Sequence, residues 1–207
     1  MKIGILGTGH IGGTLGKHLA KAWHVIFYGS RHPKDLEMLL KESGNGAQAG
    51  TLEEAVRFGD VVVLAIPWRK KEDLPPPDLF KGKVVIDAMN PYSAFGTIID
   101  LGETTSSEEV AKLLPGARLV KAFNTMGFND LQSKAFKSGK DRLTIFVAGD
   151  DVDAKRIVSG LIEDIGFVPI DTGSLREGGR LQQPGSPINT KQLTEEQARA
   201  LLQSLKK

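Results

Sequence analysis

A doubly wound α/β fold built on a parallel sheet is what this 207-residue sequence predicts, and three observations predict it. Short apolar runs alternate with segments of helical periodicity along almost the whole chain, the order that buries a parallel sheet between two helical layers. A glycine-rich turn, Gly7-Thr8-Gly9-His10-Ile11-Gly12, joins the first run to the first helix. The run Val61-Val62-Val63-Leu64-Ala65-Ile66 is apolar on both faces, as a central parallel strand must be.

The elements follow in order. Ile3-Gly4-Ile5-Leu6 is a strand; after the turn, Ile11, Leu15 and Leu19 recur at four-residue spacing on one helix face, and a second strand ends at Tyr28-Gly29-Ser30-Arg31. Pro33 suits the first turn of a helix to about Glu42, which Ser43-Gly44-Asn45-Gly46 ends. Thr51 and Glu54 make the capping-box pattern of a short helix, broken at Gly59-Asp60. The strand from Val61 ends at Pro67-Trp68. Arg69 to Leu79, charged and then proline-rich, reads as a surface connection with at most one helical turn. Val84-Val85-Ile86-Asp87 is a strand that leaves through Ala88-Met89-Asn90-Pro91, and the aperiodic stretch to Thr105 is expected over the functional face.

Ser106 or Ser107 is expected to cap a helix from Glu108 to Leu114. Leu119 to Phe123 is a further strand, emerging at Asn124-Thr125-Met126-Gly127. An extra βαβ unit has Leu143 to Ala148 and Phe167 to Asp171 as strands around a helix from Asp151 to Asp164. Asp150, Asp151 and Asp153 read as helix-start residues, since they lack the ligand pattern of a calcium loop. Gly178 to Pro187 reads as an ordered loop. A terminal helix, Thr194 to Leu205, carries Ala198, Leu201, Leu202 and Leu205 on one side, a stripe to be buried on the domain or on a second subunit of a homodimer. The expected organisation is one domain over residues 1–175 with a C-terminal loop and helix over 176–207.

The turn has the chemistry of a dinucleotide site. Gly7 allows a sharp reversal after the strand, Gly9 leaves room for a pyrophosphate, and Gly12 lets the helix pack close to the strand, with Gly16 extending that smooth face. The helix start then offers unpaired N–H groups to phosphate. At the end of the second strand, where NAD enzymes carry an acidic residue, this chain has Ser30 and Arg31, with Lys34 following. A hydroxyl and two cations suit the 2′-phosphate of NADP(H).

Composition excludes other classes. Lys and Arg number 27 against 25 Asp and Glu, a net charge of +2, and no basic run points to nucleic acid. With no cysteine, thiolate catalysis and cysteine-ligated metal centres are ruled out. The chain opens directly on a core strand and holds no apolar run long enough to cross a bilayer, so a cytoplasmic protein without a membrane partner is expected.

In a doubly wound sheet, ligands sit beyond the carboxyl ends of the strands. Those ends are Gly7 to Gly12, Ile66-Pro67-Trp68, Met89-Asn90-Pro91 and Asn124-Thr125, and they are expected to surround a nicotinamide. Proton donors are few there. All four histidines, His10, His18, His24 and His32, fall in the first nucleotide-binding unit, and Gly96 stands where a Tyr92-x-x-x-Lys pair would need its lysine. Only about thirty residues follow the last strand, too few for the helical dimer domain of hydroxyisobutyrate-type dehydrogenases. The chemistry that survives is hydride exchange with a flavin or deazaflavin, which asks the protein only to stack two rings and exclude water.

Six stretches, in order, carry a resemblance: Gly7 to Gly12, Gly29-Ser30-Arg31, Ala65-Ile66-Pro67-Trp68, Asp87-Ala88-Met89-Asn90-Pro91, Val120-Lys121-Ala122-Phe123-Asn124-Thr125 and Ala148-Gly149-Asp150-Asp151. Together the chain resembles the NADPH-dependent reductases of the deazaflavin coenzyme F-420, and is similar to the reductase domain of the STEAP metalloreductases. The resemblance implies a Rossmann-type fold and NADP(H) contacts at Thr8 to Ile11, Ser30, Arg31 and Lys34. It implies a nicotinamide near Ile66, Pro67, Asn90 and Ala122, with a small-molecule hydride acceptor, deazaflavin or flavin, by Asn124, Thr125 and Met126. The archaeal deazaflavin enzymes have His-Thr-Ile-Pro where this chain has Phe123-Asn124-Thr125-Met126. Two other readings stay open: an imine reductase of the pyrroline-5-carboxylate type, and a non-catalytic NADP(H)-binding redox sensor.

Overall fold

The apolar runs pair into one mostly parallel sheet in the computed structural model, which describes residues 1–205. The strands are β1 (Lys2–Leu6), β2 (Val25–Gly29), β3 (Gln48–Gly50), β4 (Val61–Leu64), β5 (Val84–Asp87), β6 (Arg118–Lys121), β7 (Thr144–Gly149) and β8 (Val168–Gly173). They form one sheet in the order β3-β2-β1-β4-β5-β6-β7-β8. The helices are α1 (His10–Lys21), α2 (Glu37–Ser43), α3 (Leu52–Phe58), α4 (Ser106–Leu113), α5 (Phe128–Ser133), α6 (Val152–Asp164), α7 (Glu177–Gln182) and α8 (Glu195–Ser204).

Side-chain alternation decides the two layers. In β4 all four residues are buried: Val61 and Val63 join Leu15, Leu19, Leu161 and Ile162 of α1 and α6, while Val62 and Leu64 join Ala55, Val56 and Val110 of α3 and α4. The expected capping box is present at Thr51, which accepts from Glu54 N–H at 3.2 Å while Glu54 accepts from Thr51 N–H at 2.7 Å. Two glycines fix how closely α1 rides on the sheet. A Cβ on Gly12 would lie 2.0 Å from the Gly7 carbonyl oxygen, and one on Gly16 would lie 2.2 Å from the Tyr28 hydroxyl. That hydroxyl is bonded to Ser43 Oγ at 2.7 Å, and burial pushes its pKa up to about 12.

The stretch expected as a loop from Gly178 starts inside helix α7, which runs to Gln182, and five further expectations need correction. First, β3 is a strand too short and glycine-containing to show an alternating pattern; it exists because Phe27 to Gly29 offer it a ladder. Second, the helix expected from Pro33 begins as a 3-10 turn, Pro33–Leu36, and becomes α-helical only at Glu37. Third, the connection after Trp68 holds two 3-10 turns, Trp68–Asp73 and Pro77–Phe80. Fourth, the cap of α4 is Thr105, which accepts from Glu108 N–H at 3.1 Å while its own N–H donates to Glu108 at 2.8 Å. Ser106 and Ser107 are buried and serve elsewhere.

The fifth correction is directional. β7 pairs antiparallel with β6, Val120 opposite Gly149 and Lys121 opposite Ala148, so β7 and β8 run against the other six strands. The start of α6 therefore lies at the opposite end of the sheet from the exits of β1, β4 and β5. There Asp151 caps α6, accepting from Ala154 N–H at 2.8 Å, and takes a two-pronged bond from Arg118 at 2.7 and 2.8 Å. The terminal stripe is buried on the chain itself: Ala198, with Leu201 and Leu202, packs on Phe146, Ile170 and Ile188, and Leu205 stays exposed. Among the described residues no helix is long and apolar enough to cross a membrane.

The Arg118 guanidinium and the helix start hold the Asp151 carboxyl well below the usual carboxylate range. Because the folded pKa is depressed, the stabilisation is complete at neutral pH and fades as pH falls from the ordinary value, about 3.9, toward the folded one. Asp151→Asn keeps a capping oxygen and removes the charge. Urea unfolding across a pH series is expected to show the variant less stable at neutral pH, with the gap narrowing from roughly pH 5 downward; a gap constant to roughly pH 2 would contradict the assignment.

Candidate dinucleotide-binding site

A cleft of about 640 Å³ opens at the carboxyl ends of β2, β1, β4 and β5, within the usual size range of small-molecule sites. Its floor is the turn after β1. Gly7 there has φ +97°, and a Cβ would lie 2.7 Å from the Ala65 carbonyl oxygen. Gly9, the N-cap residue just before α1, offers no side chain to cap the helix, and a Cβ on it would meet no protein atom within 4 Å. Free N–H groups and open space above them are what a pyrophosphate needs. His10 is held beside them by Phe128, ring centroids 4.5 Å apart.

Of the residues expected in the site, Gly7, Thr8, Gly9, His10, Ile11, Ser30, Arg31, Ile66, Pro67, Trp68 and Asn90 line this one cleft. Ser30 is held in the turn after β2, where its hydroxyl accepts from the His32 N–H at 3.0 Å. Trp68 contributes an edge only: its ring is buried and Nε1 donates to the Ser106 carbonyl at 3.1 Å. Gly12 acts through helix packing and does not line the cleft. Lys34 is exposed on the 3-10 turn and lies outside the lining, whereas His32, closer to the strand end, is part of it.

The group expected around the acceptor is different. Ala122, Asn124, Thr125 and Met126 are all buried, none more than 6% exposed, and none lines the cleft. After β6 the backbone turns through Phe123, at φ +67°, and the C-terminal segment covers the exit. Asn124 donates to the Gln182 carbonyl at 2.8 Å, and the Thr190 N–H donates to the Thr125 carbonyl at 2.8 Å. Asn124 therefore acts through its neighbour. Asn90 Nδ2 donates to the Asn124 carbonyl at 2.8 Å, and Asn124 Nδ2 donates to Asn90 Oδ1 at 3.0 Å, so the two amides fix one another. The Asn124 side-chain oxygen has no donor among the described residues, an acceptor left over behind the Asn90 end of the cleft.

Sequence reasoning missed three features. Arg69, Lys70 and Asp73 line the cleft from the segment read as a surface connection. Tyr92 and Ser93 line it from a small hairpin in which Tyr92 bridges Ile98. Beneath the cleft lies an ion pair, Lys121 with Asp87 at 3.1 Å, both fully buried. Lys121 also donates to the Met89 carbonyl; Asp87 accepts from Ser107 Oγ at 2.6 Å and from the Met89 N–H at 3.0 Å. Burial pulls the Lys121 pKa down, and Asp87 opposes that shift. The pair fixes the strand exit that carries Asn90. The signal was a charged residue at the last position of each of two neighbouring strands, Asp87 opposite Lys121 in register.

Comparison with known proteins agrees with this geometry. The family model described as "NADP oxidoreductase coenzyme F420-dependent" matches residues 2–91. The metalloreductase STEAP3 of Rattus norvegicus is 30% identical over 84% of this chain, which spans about a third (34%) of that protein's length. A hypothetical protein of Sinorhizobium meliloti, 32% identical, superposes with a TM-score of 0.82 over 94% of this chain and 96% of its own. A proposed F420-dependent NADP reductase from Arthrobacter, 26% identical, gives 0.74 over 84% and 86%.

Removing one partner of the buried pair leaves an uncompensated charge, which costs about 3–5 kcal/mol. Lys121→Met is expected to lose that much in urea unfolding, and Lys121→Met with Asp87→Asn is expected to recover part of it; additive losses would contradict a paired role. Residues 2–91, which carry nearly all of the cleft lining, therefore match the domain of the coenzyme F420-dependent NADP oxidoreductase family.

Proposed function

We propose that this chain transfers hydride between NADP(H) and a deazaflavin or flavin ring. The observation that carries the reading is the unequal furnishing of the two ends of the cleft. After β2, Ser30, Arg31 and His32 present a hydroxyl, a guanidinium and an imidazole, a set that suits a 2′-phosphate and would waste an unmodified ribose. Toward β5, Ile66, Pro67, Ala88, Met89 and Asn90 present apolar surface and one fixed amide. Asp73, the one carboxylate in the lining, is drawn to Lys70 at 3.4 Å.

The chain's own work in such a reaction is to hold and orient. The free amides after Gly9 grip the pyrophosphate, and Gly9 admits it to contact. Asn90, held by Asn124, orients the nicotinamide end, while Ile66 and Pro67 keep water from one face. When bound, the dihydronicotinamide supplies a hydride that the acceptor ring takes up as two electrons and one hydrogen nucleus. No proton from a side chain is required at the moment of transfer. The names of two relatives, an F420-dependent NADP reductase and a metalloreductase, support the same class of chemistry.

Mixing the protein with NADPH and, in turn, coenzyme F420, FMN, FAD and riboflavin is expected to bleach the nicotinamide absorbance with at least one of them. Silence with all four would refute the reading. Arg31→Glu is expected to lower the preference for NADPH over NADH by at least roughly tenfold, the worth of one charge-assisted hydrogen bond.

A further inference from the structure

Two arginines of the cleft lining have no partner among the described residues. Arg31 and Arg69 are both exposed, both line it, and neither makes an ion pair or side-chain hydrogen bond among the described residues. Their neighbours differ: Lys70 is engaged with Asp73, and Lys71 lies over the Trp68 ring at 4.2 Å. Arg69 also has an anchored backbone. The residue before it is tied down by the buried indole of Trp68, and the residue after it donates its N–H to the Pro67 carbonyl at 2.7 Å, closing a turn around Arg69. A cation on a fixed stem, left unpaired beside a carboxylate that prefers its neighbour, is placed to receive an anion.

The topology brings the two arginines to opposite sides of one strand end. Arg31 leaves from the end of β2 and Arg69 from the segment after β4, and these strands flank β1, whose turn is the cleft floor. At the ordinary spacing of parallel strands the two exits stand roughly 10 Å apart, a gap that two extended arginine side chains close from either side. We infer that Arg69 is a second determinant of the cofactor: it clamps the 2′-phosphate of NADP(H) against Arg31 and Ser30 from the opposite wall. This rests on the reading that the chain takes NADP(H), and it adds a residue on a loop whose sequence carried no such signal. A planar guanidinium grips phosphate with two parallel N–H bonds, which a lysine cannot reproduce.

The test is the affinity of NADPH and of NADH, measured by nicotinamide fluorescence, for the wild-type chain, Arg69→Ala, Arg69→Lys and Arg31→Glu. Arg69→Ala is expected to weaken NADPH roughly tenfold or more and leave NADH unchanged, with Arg69→Lys in between. Equal weakening of both dinucleotides would mean that Arg69 stacks on the adenine, and no change in either would mean it touches neither; both results overturn the clamp. Unchanged NADH binding also reports that the variant is folded. Arg31→Glu separates the two levels: if it leaves the preference for NADPH intact, the underlying cofactor reading fails whatever Arg69 does.

Discussion

The molecule is arranged around one close approach, that of α1 to the turn beneath it. Gly12 sits where any Cβ would be driven to 2.0 Å from the Gly7 carbonyl oxygen, and Gly16 one turn later lies against the Tyr28 hydroxyl. Because these residues have no side chain, the start of the helix can be seated over the end of β1, its unpaired N–H groups facing an open space. Everything that defines the cleft is then a neighbour of that point. β2 delivers Ser30 and Arg31 on one side, β4 delivers Ile66 and Arg69 on the other, and β5 brings Asn90 one strand further along.

The far side of the cleft is held by buried polar groups, an arrangement with a different cost. Lys121 and Asp87 lie fully inside the protein, and such a pair stabilises only when every remaining donor and acceptor is met. Here the surplus is taken by Met89, Ser106 and Ser107. The same segment is tied to the C-terminal part of the chain, since the Ser106 N–H donates to Gln183 at 2.8 Å and Asn124 donates to the Gln182 carbonyl. The tail thereby braces the strand exits from behind, and its own helix α8 is anchored by Ala198 on the outer face of β7 and β8.

Much of this was legible from the residues. The glycine turn, the doubly apolar β4 and the capping box at Thr51 are local patterns whose physics is complete within a few positions, and each is found where expected. What was not legible depends on distant pairing. The antiparallel entry of β7 is set by the connection after β6, and a strand reads the same in either direction. Asn124, Thr125 and Met126 follow a strand exit and so belong by pattern to the site, yet the residues that cover them, Gln182 and Thr190, lie more than fifty positions away. Trp68 and Arg69 stand side by side in sequence, and only the fold buries one ring and leaves the other residue exposed in the cleft lining.

The central claim is that a phosphate-bearing dinucleotide lies across the uncapped start of α1. The most direct measurement is backbone amide NMR on the ¹⁵N-labelled protein titrated with NADP⁺. The largest shifts are predicted at Gly9, His10 and Ile11 and at Ser30 and Arg31, with Asp150 to Asp153, at the opposite end of the sheet, unmoved. Shifts centred on that opposite end, or none at saturating nucleotide, would contradict the account.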